Sequence, residues 1–318
     1  MKTRILSQQN VKTLLTMDQT VRTVEQVFAA HGRGEALMPH KIYLTLQKYQ
    51  GDFRAMPAYL NGSAGLKWVN SHPENPKRHH LPAVMALFIL SDPSTAEPLA
   101  IMDATYITAA RTGAAGAVAS KYLAKKNARS IGFVGTGVQS RTLLQAHRVI
   151  YPSMEVLVSD ISSEAATAFA REVGGKVVSV EQACTCDIVC TSTPSRTPVV
   201  RAEWIAPGTH VNAMGADAAG KQELATELLQ RAAVYIDDWE QATESGEINV
   251  PLSRGQFKTE QVTGTLGEVI AGKKPARQSD EQVTVFDSTG LAIQDLAVAR
   301  TVYEAAKIRD VGLEFAFV

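Results

Sequence analysis

The chain has 318 residues, 45% hydrophobic and 20% charged, which suits a globular protein of about two domains. Its 32 Lys and Arg balance 32 Asp and Glu, which leaves no basic stripe for nucleic acid and no polybasic membrane anchor. No run approaches the ~18 apolar residues of a membrane span, and the N-terminus lacks the apolar core of a secretory signal, so the expected setting is cytoplasmic.

The first third mixes helical and β-like patterns. Residues 8–15 and 19–30 have amphipathic helical spacing. Runs at 41–46, 66–70, 83–90 and 99–102 alternate with turns and predict an antiparallel sheet accompanied by helices. Four cations there have neighbours that are not surface-like. Lys41 precedes Ile42, Arg54 stands between Phe53 and Ala55, and Lys67 between Leu66 and Trp68; Arg111 lies in the small-residue stretch 108–117. A buried cation needs a counter-anion. A substrate carboxylate and a cofactor pyrophosphate are two candidates, and a structural ion pair is the plain alternative for each residue alone. Arginine suits bidentate carboxylate binding, and a desolvated lysine exchanges protons near neutrality. His79 and His80, in the polar loop 75–80, read as solvated.

The middle of the chain is the most informative. An apolar run, 131–134, meets Gly135-Thr136-Gly137 and opens into the helical pattern 139–149. Strand, glycine turn and helix in that order predict a dinucleotide-binding unit. Gly135 permits the turn, Gly137 lets backbone approach a pyrophosphate, and the helix N-terminus offers N–H groups to the anion. Ser140 is small enough for close helix–strand packing. The next strand, 155–160, ends in Asp160, at the distance where a carboxylate takes the adenosine ribose hydroxyls. No arginine follows at once, so a 2′-phosphate would be repelled; the cofactor reads as NAD rather than NADP.

Alternation continues beyond it. A helix is expected at 164–173 and strands at 176–180, 187–191, 210–214, 234–238 and 283–286. Helices are expected at 222–231 and 292–309. The pattern predicts an α/β fold, a Rossmann doubly wound parallel sheet with an α+β substrate and dimerisation domain. The NAD-binding domain is placed at 119–291, and the second domain at 1–118 with 292–318. Cys184, Cys186 and Cys190 read as buried thiols, without partners for a zinc site. Asp217 follows a strand end and a glycine turn, where a carboxylate could stabilise an iminium or accept an amine proton. It could equally be the N-cap of the helix ending at Arg231. Lys221 lies one helical turn on, and the turn 286–291 is placed to close over a nicotinamide.

At these residues the chain resembles the ornithine cyclodeaminase/μ-crystallin family, and within it the archaeal alanine dehydrogenase type. The resemblance runs nearly the whole length, strongest at 65–73, 102–106, 111–115, 215–224, 246–249 and 286–295. It implies a homodimer joined through the N-terminal domain, the sheets of both subunits forming a barrel-like interface. It implies that Lys41, Lys67, Arg111 and Thr289 hold the substrate, with Arg54 near the reacting centre. Asp217 takes the acid/base position, with Lys67 its rival. Cofactor contacts are implied for Arg111, Thr112, Gly135, Gly137, Val138, Gln139, Ser140, Asp160, Thr193, Met214, Gly215, Lys221 and Ser288, and no metal. Two departures narrow the function. Ornithine-using members carry an acidic residue near the position of Arg54, and hormone-binding crystallin members favour NADPH. The expected activity is thus an NAD-dependent L-amino-acid dehydrogenase acting on alanine. Alternatives are Δ1-pyrroline-2-carboxylate reduction, ornithine cyclodeamination, and non-catalytic dinucleotide or hormone binding.

Overall fold

The computed structural model describes residues 2–317. Two compact units divide the chain: residues up to 27, 34–111 and from 291 onward form one, and 28–33 with 112–290 the other. In chain order the strands are β1 Thr3–Leu6, β2 Ala36–Leu37, β3 Ile42–Leu46, β4 Gly51–Leu60, β5 Ser63–Ser71, β6 Val84–Ser91 and β7 Pro98–Asp103. The second unit contributes β8 Ser130–Val134, β9 Glu155–Ser159, β10 Lys176–Val177, β11 Ile188–Thr191, β12 His210–Ala213, β13 Ala233–Ile236, β14 Val262–Thr265 and β15 Thr284–Asp287; β16, Leu313–Phe315, returns to the first. Among the described residues no helix is long and apolar enough to cross a membrane.

The first unit holds one sheet in the order β16-β1-β7-β6-β5-β4-β2, with β3 also paired to β4. The expected antiparallel pairing holds except at one place: β1 runs parallel to β7. Four residues gave β1 no sequence signal, and β4 too went unforeseen. Asn61-Gly62 joins β4 to β5, both residues left-handed at φ 48° and 70°. That is the two-residue turn whose twist matches a hairpin. It fixes the register, setting Met56 opposite Lys67, which on its other side faces Phe88 of β6. Period-two alternation then sends Arg54, Met56, Lys67, Val69 and Phe88 to the buried face. The helix Ala292–Arg309 packs on that face against β4, β5 and β6.

The second unit is an eight-stranded sheet, parallel throughout, in the order β10-β9-β8-β11-β12-β15-β13-β14. This is the expected doubly wound architecture. Strand order reverses between β8 and β11, and ligands of such sheets bind outside the carboxyl ends at that point. Two local expectations are corrected. The strand foreseen at 176–180 is only Lys176–Val177, because Ser179 caps a short helix, Val180–Ala183. The helix foreseen at 222–231 is only Thr226–Arg231, because residues 222–224 are drawn into long-range hydrogen bonds.

Polar groups inside this unit are chained together. His147 Nε2 lies 2.8 Å from Ser120 Oγ, which accepts from Asn212 Nδ2 at 2.9 Å. Asn212 Oδ1 is 3.2 Å from His210 Nε2, and His210 Nδ1 is 2.9 Å from Thr284 Oγ1. Burial pushes His147 down to about 4 and His210 to about 3, so both rings are neutral at physiological pH. The three cysteines are free and buried, and burial pushes their thiols up to about 11 or 12.

Candidate active site

The turn after β8 is held from several sides. Gly135 has φ +93°, and a Cβ on it would come within 2.9 Å of Ser192 O. Ser140 is buried; its hydroxyl donates to Gly135 O at 2.6 Å and lies 2.9 Å from Ser192 Oγ. Thr136 N and Oγ1 both donate to Asp160 Oδ2, at 2.7 and 2.9 Å, and Ser162 N donates to Oδ1 at 2.9 Å. Asp160 therefore ties the end of β9 to the glycine turn as well as facing outward.

Gly137 contrasts with Gly135. A Cβ built there meets nothing within 4 Å, so the missing side chain keeps space open over the turn. Gly137 is also the N-cap of the 13-residue helix Val138–Ile150 and supplies no side-chain cap, which leaves first-turn N–H groups for an anion. Gln139 Oε1 is a buried acceptor without a hydrogen-bond partner. Open cradle, uncapped helix end, ribose-range carboxylate and spare acceptor together fit a dinucleotide.

Thr193, Met214, Gly215, Ser288 and Thr289 follow the carboxyl ends of β11, β12 and β15 in the same unit, and sequence reading missed what organises them. Glu223, fully buried, accepts from Thr191 Oγ1 and Thr193 N, both at 2.6 Å, and from Gly215 N at 2.8 Å. One carboxylate thereby joins the loops after β11 and β12. Glu247 accepts from the backbone N–H groups of Glu223 and Leu224, at 2.9 and 2.6 Å. Asp237 takes Thr289 N, Thr289 Oγ1 and Gly290 N at 2.7, 2.9 and 2.8 Å. Burial pushes Glu223 and Glu247 above the usual carboxylate range and Asp287 up to about 8.

Asp217 pairs with Lys221 at 2.5 Å, and both are partly exposed. The segment between them is bend and turn, not helix. The helix Thr226–Arg231 has Ala225 as its N-cap, so the capping alternative for Asp217 is removed. Thr112 is buried in the helix Thr105–Leu123.

The cations belong to the first unit. Lys67 is 1% exposed, and its Nζ lies 2.6 Å from Asp295 Oδ2. Arg111 Nε donates to Asp295 Oδ1 at 3.1 Å and Nη1 to Gln294 Oε1 at 3.2 Å. Burial pushes Lys67 down to about 7; Asp295 opposes that fall, while Arg111 and Lys41 add repulsion. The ammonium and guanidinium thus meet on one carboxylate, with Lys41 within electrostatic range. Arg54 is buried on the same face of β4 but grips Asp52, Nε to Oδ1 at 2.8 Å and Nη2 to Oδ2 at 3.2 Å. Its guanidinium also sits 5.2 Å from the Tyr43 ring centroid. Asp295 was missed, although the sequence held a signal: a carboxylate inside an apolar run, the same anomaly that singled out the cations.

The model of the ornithine cyclodeaminase/mu-crystallin family matches residues 1–310. An alanine dehydrogenase from Archaeoglobus fulgidus is 52% identical over 322 residues, spanning 100% of this chain and 99% of that one. A solved archaeal alanine dehydrogenase dimer with bound NAD superposes with a TM-score of 0.96 at 51% identity, covering 100% of both chains. A Δ1-pyrroline-2-carboxylate reductase from Thermococcus litoralis, solved with NADH and L-proline, gives a TM-score of 0.93 at 35% identity, covering 98% of this chain and 99% of that one.

Proposed function

The chain belongs to the ornithine cyclodeaminase/mu-crystallin family, and from that premise we propose that it is an NAD-dependent L-amino-acid dehydrogenase. Its reaction is alanine, NAD and water to pyruvate, ammonia and NADH. The observation that carries this reading is the full-length likeness to the Archaeoglobus alanine dehydrogenase. Residues 119–291 are assigned to NAD binding, and 1–118 with 292–318 to substrate binding and dimerisation. A cytoplasmic setting accords with three free, buried cysteines.

The residues divide the work as follows. Lys41, Lys67 and Arg111 supply the positive charge that anchors the substrate carboxylate. Arg54, locked by Asp52, presents a fixed guanidinium on the buried face of β4. In the aminating direction ammonia adds to the keto carbon, and the carbinolamine hydroxyl must gain a proton to leave as water. Lys67, with its proton held at about 7, can give that proton and recover it. Asp217 is the second carrier and offsets the iminium charge that results. NADH, when bound, supplies the hydride. Gly135, Gly137, Val138, Gln139, Ser140 and Asp160 hold the dinucleotide, with Arg111, Thr112, Thr193, Met214, Gly215, Lys221 and Ser288 as further contacts. Thr289 adds a substrate-side contact through a loop fixed by Asp237.

The test is an absorbance assay for NADH consumption with pyruvate plus ammonia, Δ1-pyrroline-2-carboxylate, and ornithine with NAD. Pyruvate with ammonia is expected to give the highest kcat/KM. Faster turnover of the cyclic imine selects the second reading, which the Thermococcus reductase favours. Proline formed from ornithine without net NADH selects the third. Asp160→Ser is expected to weaken NADH binding about tenfold or more, the usual loss for a hydrogen bond to a charged group. The same change should narrow the preference over NADPH; unchanged nucleotide discrimination would remove Asp160 from that role.

The outer face of the first sheet supports the dimer. Ile42 and Leu44 on β3, Trp68 on β5, and Leu87 and Ile89 on β6 are exposed, and Phe53 stacks on Trp68 at 5.3 Å. A contiguous apolar sheet face of this kind marks a protein interface. A second copy, as in the archaeal relative's dimer, is its proposed cover. Leu87→Glu combined with Ile89→Lys is expected to convert the dimer to monomer in light scattering. A dimer that survives both charges places the interface elsewhere.

A further inference from the structure

We infer that Asp295 is a positioning residue of this reaction, seating the Lys67 ammonium and the Arg111 guanidinium on its two oxygens and so setting the direction of both groups. The inference rests on the dehydrogenase reading but concerns a residue outside the roles assigned above. Asp295 is fully buried, in the first turn of the helix Ala292–Arg309, where the helix dipole favours a carboxylate. Each oxygen has a separate cation: Oδ2 takes Lys67 at 2.6 Å and Oδ1 takes Arg111 Nε at 3.1 Å. Gln294, the preceding residue, takes Arg111 Nη1 at 3.2 Å. Two adjacent residues thus fix the guanidinium plane, which a single contact could not do.

The arrangement also sets charge. Lys67 is met by Asp295 from the helix Ala292–Arg309, by Arg111 from the helix Thr105–Leu123 and by Lys41 ahead of β3; Met56 and Phe88 flank it without charge. Two cations therefore share one carboxylate, and Lys41 lies near enough to Lys67 to add repulsion. Without that carboxylate they would repel one another in a desolvated place, and Lys67 would release its proton at lower pH. A substrate carboxylate would then meet a differently charged and less ordered group. Asparagine cannot substitute, because it has one acceptor oxygen and its amide NH2 would face a donor.

The experiment compares wild type, Asp295→Asn and Asp295→Glu in three measurements. These are NADH affinity by fluorescence, pH profiles of kcat and KM for pyruvate with ammonia, and the Lys67 side-chain titration by NMR of ε-¹³C-lysine. The Lys67 resonance is assigned by its loss in Lys67→Arg. For Asp295→Asn the NADH Kd is expected to rise less than about fivefold, through the Arg111 contact alone, while KM for pyruvate rises at least tenfold. The limb carried by Lys67 should move at least one pH unit down. Asp295→Glu, which keeps the charge but misplaces it, should return the limb toward wild type and leave KM raised. Wild-type KM and limb in Asp295→Asn overturn the inference. So does a uniform loss of all constants, NADH binding included, with the Lys67 titration unmoved. If Asp295→Asn fails to fold, Asp295→Glu decides: wild-type KM in that variant overturns the inference. If wild type turns over none of the three substrates, the dehydrogenase reading fails, and the NMR titration still decides whether Asp295 governs Lys67.

Discussion

Lys67→Ala is expected to lower kcat/KM for pyruvate with ammonia by roughly 10⁴-fold, the upper end of what a positioned acid–base group supplies. Two losses coincide in that variant. The proton carrier held at about 7 disappears, and one cation leaves the carboxylate-binding group. NADH affinity is expected to persist, because no contact of the glycine turn depends on Lys67. Stability should fall by about 3 kcal/mol, the low end for breaking a buried pair, because Arg111 remains on Asp295. Alanine oxidation in wild type should rise through pH of about 7, where neutral Lys67 becomes available as a base. The measurements are steady-state kinetics across pH, fluorescence titration with NADH, and urea unfolding. Near-normal turnover in Lys67→Ala would transfer the proton role to Asp217. Lys67→Met, which keeps most of the side-chain volume and leaves Arg111 paired with Asp295, is expected to recover stability without recovering activity, which separates the fold from the chemistry.

Asp287→Asn is expected to change the pH dependence of folding strongly. Burial raises the Asp287 carboxyl from its ordinary 3.8 to about 8, with Asp237 and Glu223 adding like charge. Its Oδ2 accepts Ile248 N at 3.2 Å, while Oδ1 has no hydrogen-bond partner. A carboxyl whose folded pKa is raised gives its full stabilisation below the unfolded value and loses it as pH rises through the folded one. The window here runs from about 4 to about 8. At about 1.4 kcal/mol per pH unit the span is worth on the order of 5 kcal/mol. His147 and His210 act with the opposite sign: both are depressed, so their contribution is present above 6.5 and lost as pH falls toward about 4 and 3. The wild type should therefore be most stable in mildly acidic solution and weaken toward pH 8. Asp287→Asn should lessen the alkaline decline, to which Glu223 and Glu247 also contribute, and leave the acid side in place. Urea unfolding at a series of pH values reads both slopes; parallel curves for variant and wild type would exonerate Asp287.

Much of this molecule was legible because its signals are local. Strand, Gly135, Gly137 and helix lie between Ser130 and Ile150, and each needs only its neighbours to be understood. Asn61-Gly62 similarly sets a hairpin on its own. Lys67 stood out through Leu66 and Trp68 alone. The residues that escaped notice are those whose partners lie far along the chain. Glu223 gathers donors from Thr191, Thr193 and Gly215, up to 32 residues away, and for that reason leaves the helix that its local pattern suggested. Asp295 meets Lys67 across 228 positions. The β1–β7 pairing joins Thr3–Leu6 to a strand nearly a hundred residues later. In each case spacing carries no information; for the two carboxylates, burial of a charge is the signal that remains.

The alternation of β5 has a consequence for anyone seeking to vary this protein. Lys67 turns inward and Trp68 outward only because Asn61-Gly62 counts the strand from a fixed origin. Deleting one residue between that turn and Lys67 exchanges the two. An indole would then occupy the ion-pair niche while an ammonium entered the oily exterior. Insertions and deletions here should disable chemistry and assembly in one stroke, so libraries that tolerate length change belong in the loop between β5 and β6 instead.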